Sequence, residues 1–155
     1  MTTTLEPKAC HIISQDLNLL LADTFVLYVK TLNYHWNVED PRFNELHELF
    51  DKQYRELQEQ ADEIAERTRM LGSKSQGTMK EFLEAANLSE GQSNITGDEM
   101  IKDLALDHQA ISKWLRSKIA PTQELGDEGT ADLYIQQLRQ HDKQAWMLLS
   151  HLKRK

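Results

Sequence analysis

From Ile13 onward the chain repeats apolar or small positions with the period of an α-helix: Ile13, Leu17, Leu20, Leu21, Thr24, Tyr28, Thr31 and His35 share one stripe. The spacing predicts a first helix ending near Asn37, preceded by a loose tail over residues 1–9. Asp40 followed by Pro41 reads as an N-cap with proline at the first helical position, opening a second helix that runs to about Leu71 and stops at Gly72. Residues 72–77 are a Ser/Lys/Gly loop, after which Thr78 and Glu81 make a capping box for a short helix ending near Asn87. A polar connector over 89–97 leads to a second box, Thr96 with Glu99. Ile101, Leu104, His108, Ile111 and Leu115 then line one face of a third long helix, with Pro121 expected to end it. A last helix starts near Asp127 and runs to the C-terminus through Leu138, Ala145, Leu149 and Leu152. No sustained period-two alternation marks a strand. The pattern predicts an all-α four-helix bundle, one domain over 10–155, whose long connector crosses the bundle and holds the extra short helix.

Composition narrows the class. At 155 residues there is room for one domain, and a formal charge of −7 argues against wholesale coating of nucleic acid while suiting a protein that collects cations. The lone Cys10 cannot form an internal disulfide and no secretory segment precedes it, so a cytoplasmic setting is expected. The apolar run from Leu17 to Val29 is interrupted by Asn18, Asp23 and Thr24 and is expected to be too short to span a bilayer, so no membrane role is expected.

The chemistry lies on the second helix. His47 with Asp51, and Asp62 with Glu66, each have i,i+4 spacing, so each pair grips one ion from one helical face. Asp51 and Asp62 stand roughly 16 Å apart along the helix axis, too far for one chain to close both pairs on a single metal. The midpoint of positions 47 and 66 coincides with that of 51 and 62, between Glu56 and Leu57. A two-fold axis there sets His47 and Asp51 of one copy against Asp62 and Glu66 of the partner subunit, predicting two identical shared sites. If the first two helices fold as a hairpin, His35 joins His47 and Asp51. Two imidazoles with three carboxylates suit iron, manganese or zinc better than calcium, because nitrogen donors favour transition metals. A two-metal centre within one bundle, built on Glu-x-x-His, is disfavoured, since none of the six histidines has Glu three residues before it.

These residues also carry a resemblance. His35-Trp36-Asn37, Leu46-His47-Glu48 with Asp51, Asp62 through Ala65-Glu66-Arg67, and Asp142-Lys143 before Trp146-Met147-Leu148 resemble the signature of the Dps family, mini-ferritins named for DNA-binding proteins from starved cells. The likeness covers the chain from about Leu17 to Leu149. It implies a ferritin-like bundle assembled from two-fold dimers into a hollow dodecamer. It also implies oxidation of iron(II), preferably by hydrogen peroxide, at the shared sites, ferric mineral stored inside, and protection of DNA from oxidative stress. One or two iron ions per site are both compatible with the ligand count.

Other residues have two readings. Trp36 either fills the hairpin core or, by resemblance, lies beside the iron, where an indole takes up a stray oxidising equivalent. Asp127, Glu128 and Asp132 stabilise a helix N-terminus; in the family, acidic residues near this point line three-fold pores that admit iron. His108, without carboxylate company, reads as a packed core histidine. The runner-up function is a nucleoid-binding structural protein with iron chemistry secondary, resting on the basic run Lys153-Arg154-Lys155 as a DNA contact.

Overall fold

The computed structural model describes residues 3–152. Five helices follow one another: α1 (Pro7–Asn37), α2 (Phe43–Met70), α3 (Met79–Ala85), α4 (Gly97–Glu124) and α5 (Glu128–Leu149). Among the described residues there is no strand.

Cross-links between side chains fix the directions. His35 meets His47 at one end of the α1–α2 hairpin, while the Asn18 amide bonds Lys74 and Gln76 at the other. Lys118 reaches Asp16, and Lys30 reaches Asp107, so α4 runs against α1. Gln53 bonds the Gln144 carbonyl, and Arg67 bonds Asp127 and Thr130, so α5 runs against α2. Every neighbouring pair round the bundle is therefore antiparallel and the diagonal pairs are parallel. That order requires the long connector between α2 and α4, in which α3 packs on α1.

Leu17, Leu27, Leu46, Phe50, Leu57, Ile64, Ile101, Leu104, Leu115 and Leu148 fill the core from all four long helices. Each such side chain contributes roughly 1.5–3 kcal/mol on burial. By length and composition α1 would also pass as a membrane-crossing helix, contrary to the expectation that its apolar run is too short. Its apolar stripe is covered by α2 and α4, and it buries Asp23 and Lys30. Both charges have partners. Asp23 accepts the Asn87 and Leu88 N–H groups. The Lys30 ammonium lies 2.6 Å from Asp107 and 3.3 Å from Asp103, whose other oxygen takes the Tyr34 hydroxyl at 2.6 Å. These bonds, with the Gln92 N–H donated to Tyr34, strap the connector over α1.

The helix ends follow the local sequence in most places. Both threonine capping boxes form, and Gly72 and Gly126 take the positive φ that ends α2 and α4, at 89° and 83°. Four boundaries differ, the last helix among them: it stops at Leu149 rather than running on through Leu152, because the His151 and Leu152 N–H groups close tight three-residue turns on the Leu148 and Leu149 carbonyls. The first helix begins at Pro7 rather than after residue 9, because proline is pre-organised for a first turn and Ala9 and Cys10 are buried. Asp40 does not cap α2: its carboxylate is taken by the backbone N–H and guanidinium of Arg42, all at 2.8 Å, so α2 starts at Phe43. The same guanidinium bonds Asp98 and the His151 carbonyl, joining three chain segments. Pro121 lies inside α4 rather than ending it. It forfeits one helical bond, and the turn beyond it closes through the Leu125 N–H on the Pro121 carbonyl at 3.2 Å.

Candidate metal centre

His35 stands in the last turn of α1 and His47 in the second turn of α2, and the hairpin brings their rings face to face, 3.8 Å between centroids and 18° between planes. Each Nδ1 lies 2.8 Å from the backbone carbonyl of the other residue. A carbonyl oxygen only accepts, so both Nδ1 atoms carry a proton, and Nε2 is the nitrogen of each ring that remains for a metal. A second contact orients each ring. Phe43 stacks on His47 at 5.0 Å, and Tyr54 meets His35 edge-on at 5.3 Å. The result is two imidazoles held in fixed orientations by main chain and neighbouring rings, as metal-binding histidines commonly are.

Asp51 lies one turn beyond His47. Arg55 holds its carboxylate with two bonds, Nε to Oδ2 at 2.9 Å and Nη2 to Oδ1 at 3.1 Å. The Arg55 bonds and then the Tyr54 hydroxyl hold this carboxyl below the usual carboxylate range. The Arg55 guanidinium also sits 5.1 Å over the Tyr54 ring. Neither Tyr54 nor Arg55 was singled out from the sequence; the i,i+4 spacing of Asp51 and Arg55 was the available signal.

Asp62 and Glu66 lie exposed farther along α2, apart from the histidines. Asp62 borders a groove of about 640 Å³ with Leu21, Phe25, Tyr28 and Gln58. Glu66 borders a shallower one with Glu63, Arg67, Asp132 and Gln136. Among the described residues, no three His, Cys, Asp or Glu side chains of one chain converge as a metal cage.

The remaining candidates divide. Trp36 is 66% exposed, so it does not fill the hairpin core; it projects beside His35. Asp127 is 2% exposed and caps α5, accepting the Thr130 N–H at 2.9 Å and the Arg67 guanidinium at 2.6 Å. It is occupied within its own chain, and the open carboxylates here are Glu128 and Asp132. His108 is a core residue with a partner the sequence did not reveal: its Nδ1 lies 2.8 Å from Nδ1 of His141, also buried. Burial pushes His108 well down and His141 to about 4. Lys153, Arg154 and Lys155 lie outside the described residues.

A bundle of antiparallel neighbours with parallel diagonals and a long crossing connector is the architecture of a ferritin-like protein, and residues 14–155 match the ferritin-like domain family, to which the chain belongs. Within that family it is one of the Dps proteins. It is 37% identical over 136 residues to DNA protection during starvation protein 2 of Bacillus anthracis, covering 88% of this chain and 93% of that one. General stress protein 20U of Bacillus subtilis (strain 168) is 36% identical over 138 residues, 89% of this chain and 95% of the relative. The fold superposes on the Dps protein of Vibrio cholerae O1, described as a member of a broad superfamily of ferritin-like diiron-carboxylate proteins, with a TM-score of 0.93 and 33% identity. That match covers 99% of this chain and 98% of the other.

Proposed function

We propose that this protein is a ferroxidase that stores iron. Two-fold dimers build a hollow cage of twelve subunits in the cytoplasm, iron(II) is oxidised at sites shared across each two-fold axis, with hydrogen peroxide as the preferred oxidant, and the ferric mineral is kept inside. The observation that carries this reading is the reciprocal His35–His47 pair, which engages both Nδ1 atoms with backbone carbonyls and leaves Nε2 of each ring for a metal, with Asp51 one turn beyond His47.

In this reading each site takes His35, His47 and Asp51 from one chain and Asp62 and Glu66 of the partner subunit. Neutral imidazole supplies affinity without adding charge, while the carboxylates hold hard ferrous ions and their ferric products. With two iron(II) ions in place, each gives one electron to the same hydrogen peroxide and becomes iron(III), and the peroxide takes up two protons from solvent to become two waters; hydroxyl radical is not released, and DNA is protected chemically. Trp36, exposed and next to His35 in the chain, absorbs an oxidising equivalent when only one ion is present. Iron enters past Glu128 and Asp132, since like carboxylates concentrate cations electrostatically.

The test is complementation. His47→Ala/Asp51→Ala and Asp62→Ala/Glu66→Ala should each abolish peroxide-dependent iron oxidation, because each damages both sites of its dimer. Co-assembled, the two variants regain activity: one site of a mixed dimer carries all four lesions and the other none. Equal, near-zero rates in homogeneous and mixed assemblies would refute the shared site.

A further inference from the structure

Arg55 is the cation nearest the half-site, and it is parked rather than loose. It spans both Asp51 oxygens, with its guanidinium over the Tyr54 ring. Its side chain is 63% exposed and that of Asp51 31%, so the pair is an open i,i+4 ion pair, a kind that breaks at small cost. The symmetry of the ligand pairs carries the two-fold axis across α2 between Glu56 and Leu57, so Arg55 lies within one turn of it. When two copies close there, each site gathers Asp51 with Asp62 and Glu66 of the partner subunit, three carboxylates beside two imidazoles. Without a metal that set repels itself. A cation is needed to hold it, and the chain places one on the carboxylate that shares a chain with both histidines.

Resting on the shared-site reading, we infer that Arg55 is the resident counter-cation of the metal-free site, holding Asp51 until an arriving divalent ion displaces the guanidinium. The exchange trades one ion pair for another. It keeps an empty dimer interface from being driven apart, and it sets a threshold that weakly bound or monovalent cations do not cross. Arg55 thus regulates loading and takes no part in electron transfer.

Zinc(II), which carries no redox chemistry, is the probe, titrated calorimetrically into the assembled protein. Arg55→Gln removes the competing charge and should bind zinc about three- to tenfold more tightly than wild type, an exposed ion pair being a weak competitor. Arg55→Lys, keeping the charge but not the fork, should fall between the two. Unchanged or weaker binding in Arg55→Gln would overturn the inference and make Arg55 a support that orients Asp51. Asp51→Ala separates this from the underlying site. If it loses zinc binding, the site stands and the Arg55 result bears on Arg55 alone; if it binds as wild type does, the site reading fails and the inference falls with it.

Discussion

His35 and His47 settle each other's tautomer: the Nδ1–H of each ring donates to the other residue's backbone carbonyl at 2.8 Å. Metal-binding histidines commonly have the second nitrogen held by a carboxylate or carbonyl, and here the hairpin supplies both holders from its own main chain. Since those acceptors are backbone, truncating one ring leaves the other's anchor in place. The two Nε2 atoms are thus prepared by the fold of the α1–α2 turn and not by further polar side chains.

If Nε2 of each ring binds the ion, His35→Ala and His47→Ala should each weaken zinc(II) or anaerobic iron(II) affinity while leaving the fold intact. Affinity unchanged from wild type in both variants, measured calorimetrically, would mean that carboxylates alone hold the ion, removing both histidines from the site.

The His108–His141 pair predicts a pH dependence of stability at the α4–α5 contact. Burial lowers both, His141 to about 4, so the folded chain keeps them neutral where the unfolded chain would protonate them at its ordinary value near 6.5. Folded-state affinity for protons is thus depressed: stability is full above about pH 6.5 and is lost as pH falls from there toward 4. The slope is roughly 1.4 kcal/mol per pH unit for each histidine. Urea unfolding at pH 7, 5.5 and 4.5 should show the loss, and His108→Leu/His141→Leu should flatten it. An equally steep profile in that double variant would place the acid sensitivity elsewhere.

Asp127 and its acidic neighbours should separate by assay. Asp127→Ala removes the α5 cap and leaves the half-buried Arg67 without its carboxylate, at a cost of about 2–4 kcal/mol in denaturant unfolding. Glu128→Ala/Asp132→Ala should cost only a few tenths of a kcal/mol, as exposed helix-terminal charges do. That pair should instead slow iron uptake while leaving zinc affinity unchanged. Uptake at the wild-type rate would free both residues from any pore.

Binding to duplex DNA, the alternative activity, must come from a local basic patch given the net charge of −7, and the contiguous candidate is Lys153-Arg154-Lys155. Deleting these three residues should abolish gel shifts at low salt and leave peroxide-dependent iron oxidation intact. Wild-type binding should already be weak near physiological salt, since such contacts act by releasing counterions. A truncated protein that still shifts DNA at moderate salt would place the contact elsewhere.

Local rules made much of the molecule readable from its residues. Helical periodicity placed the long helices, threonine-glutamate boxes started α3 and α4, and i,i+4 spacing put His47 with Asp51 and Asp62 with Glu66, because each depends on neighbours within one or two turns. His35 was legible one level up, since a short turn between two helices constrains which ends meet.

What depended on groups distant along the chain, or on the outcome of competing local bonds, was decided only by packing. Asp40 could cap a helix by its own chemistry, but the Arg42 guanidinium, itself tied to Asp98 and the His151 carbonyl, claims it. Asp127 reads as an open acidic residue until Arg67, a full helix earlier, comes to rest on it. His108 gains its partner only when α5 lies against α4. The candidate metal ligands were picked out by spacing that any helix would express. The tautomers of His35 and His47, and the guanidinium fork on Asp51, are matters of a few tenths of an ångström and of hydrogen-bond direction, which sequence pattern does not encode and three-dimensional contact does.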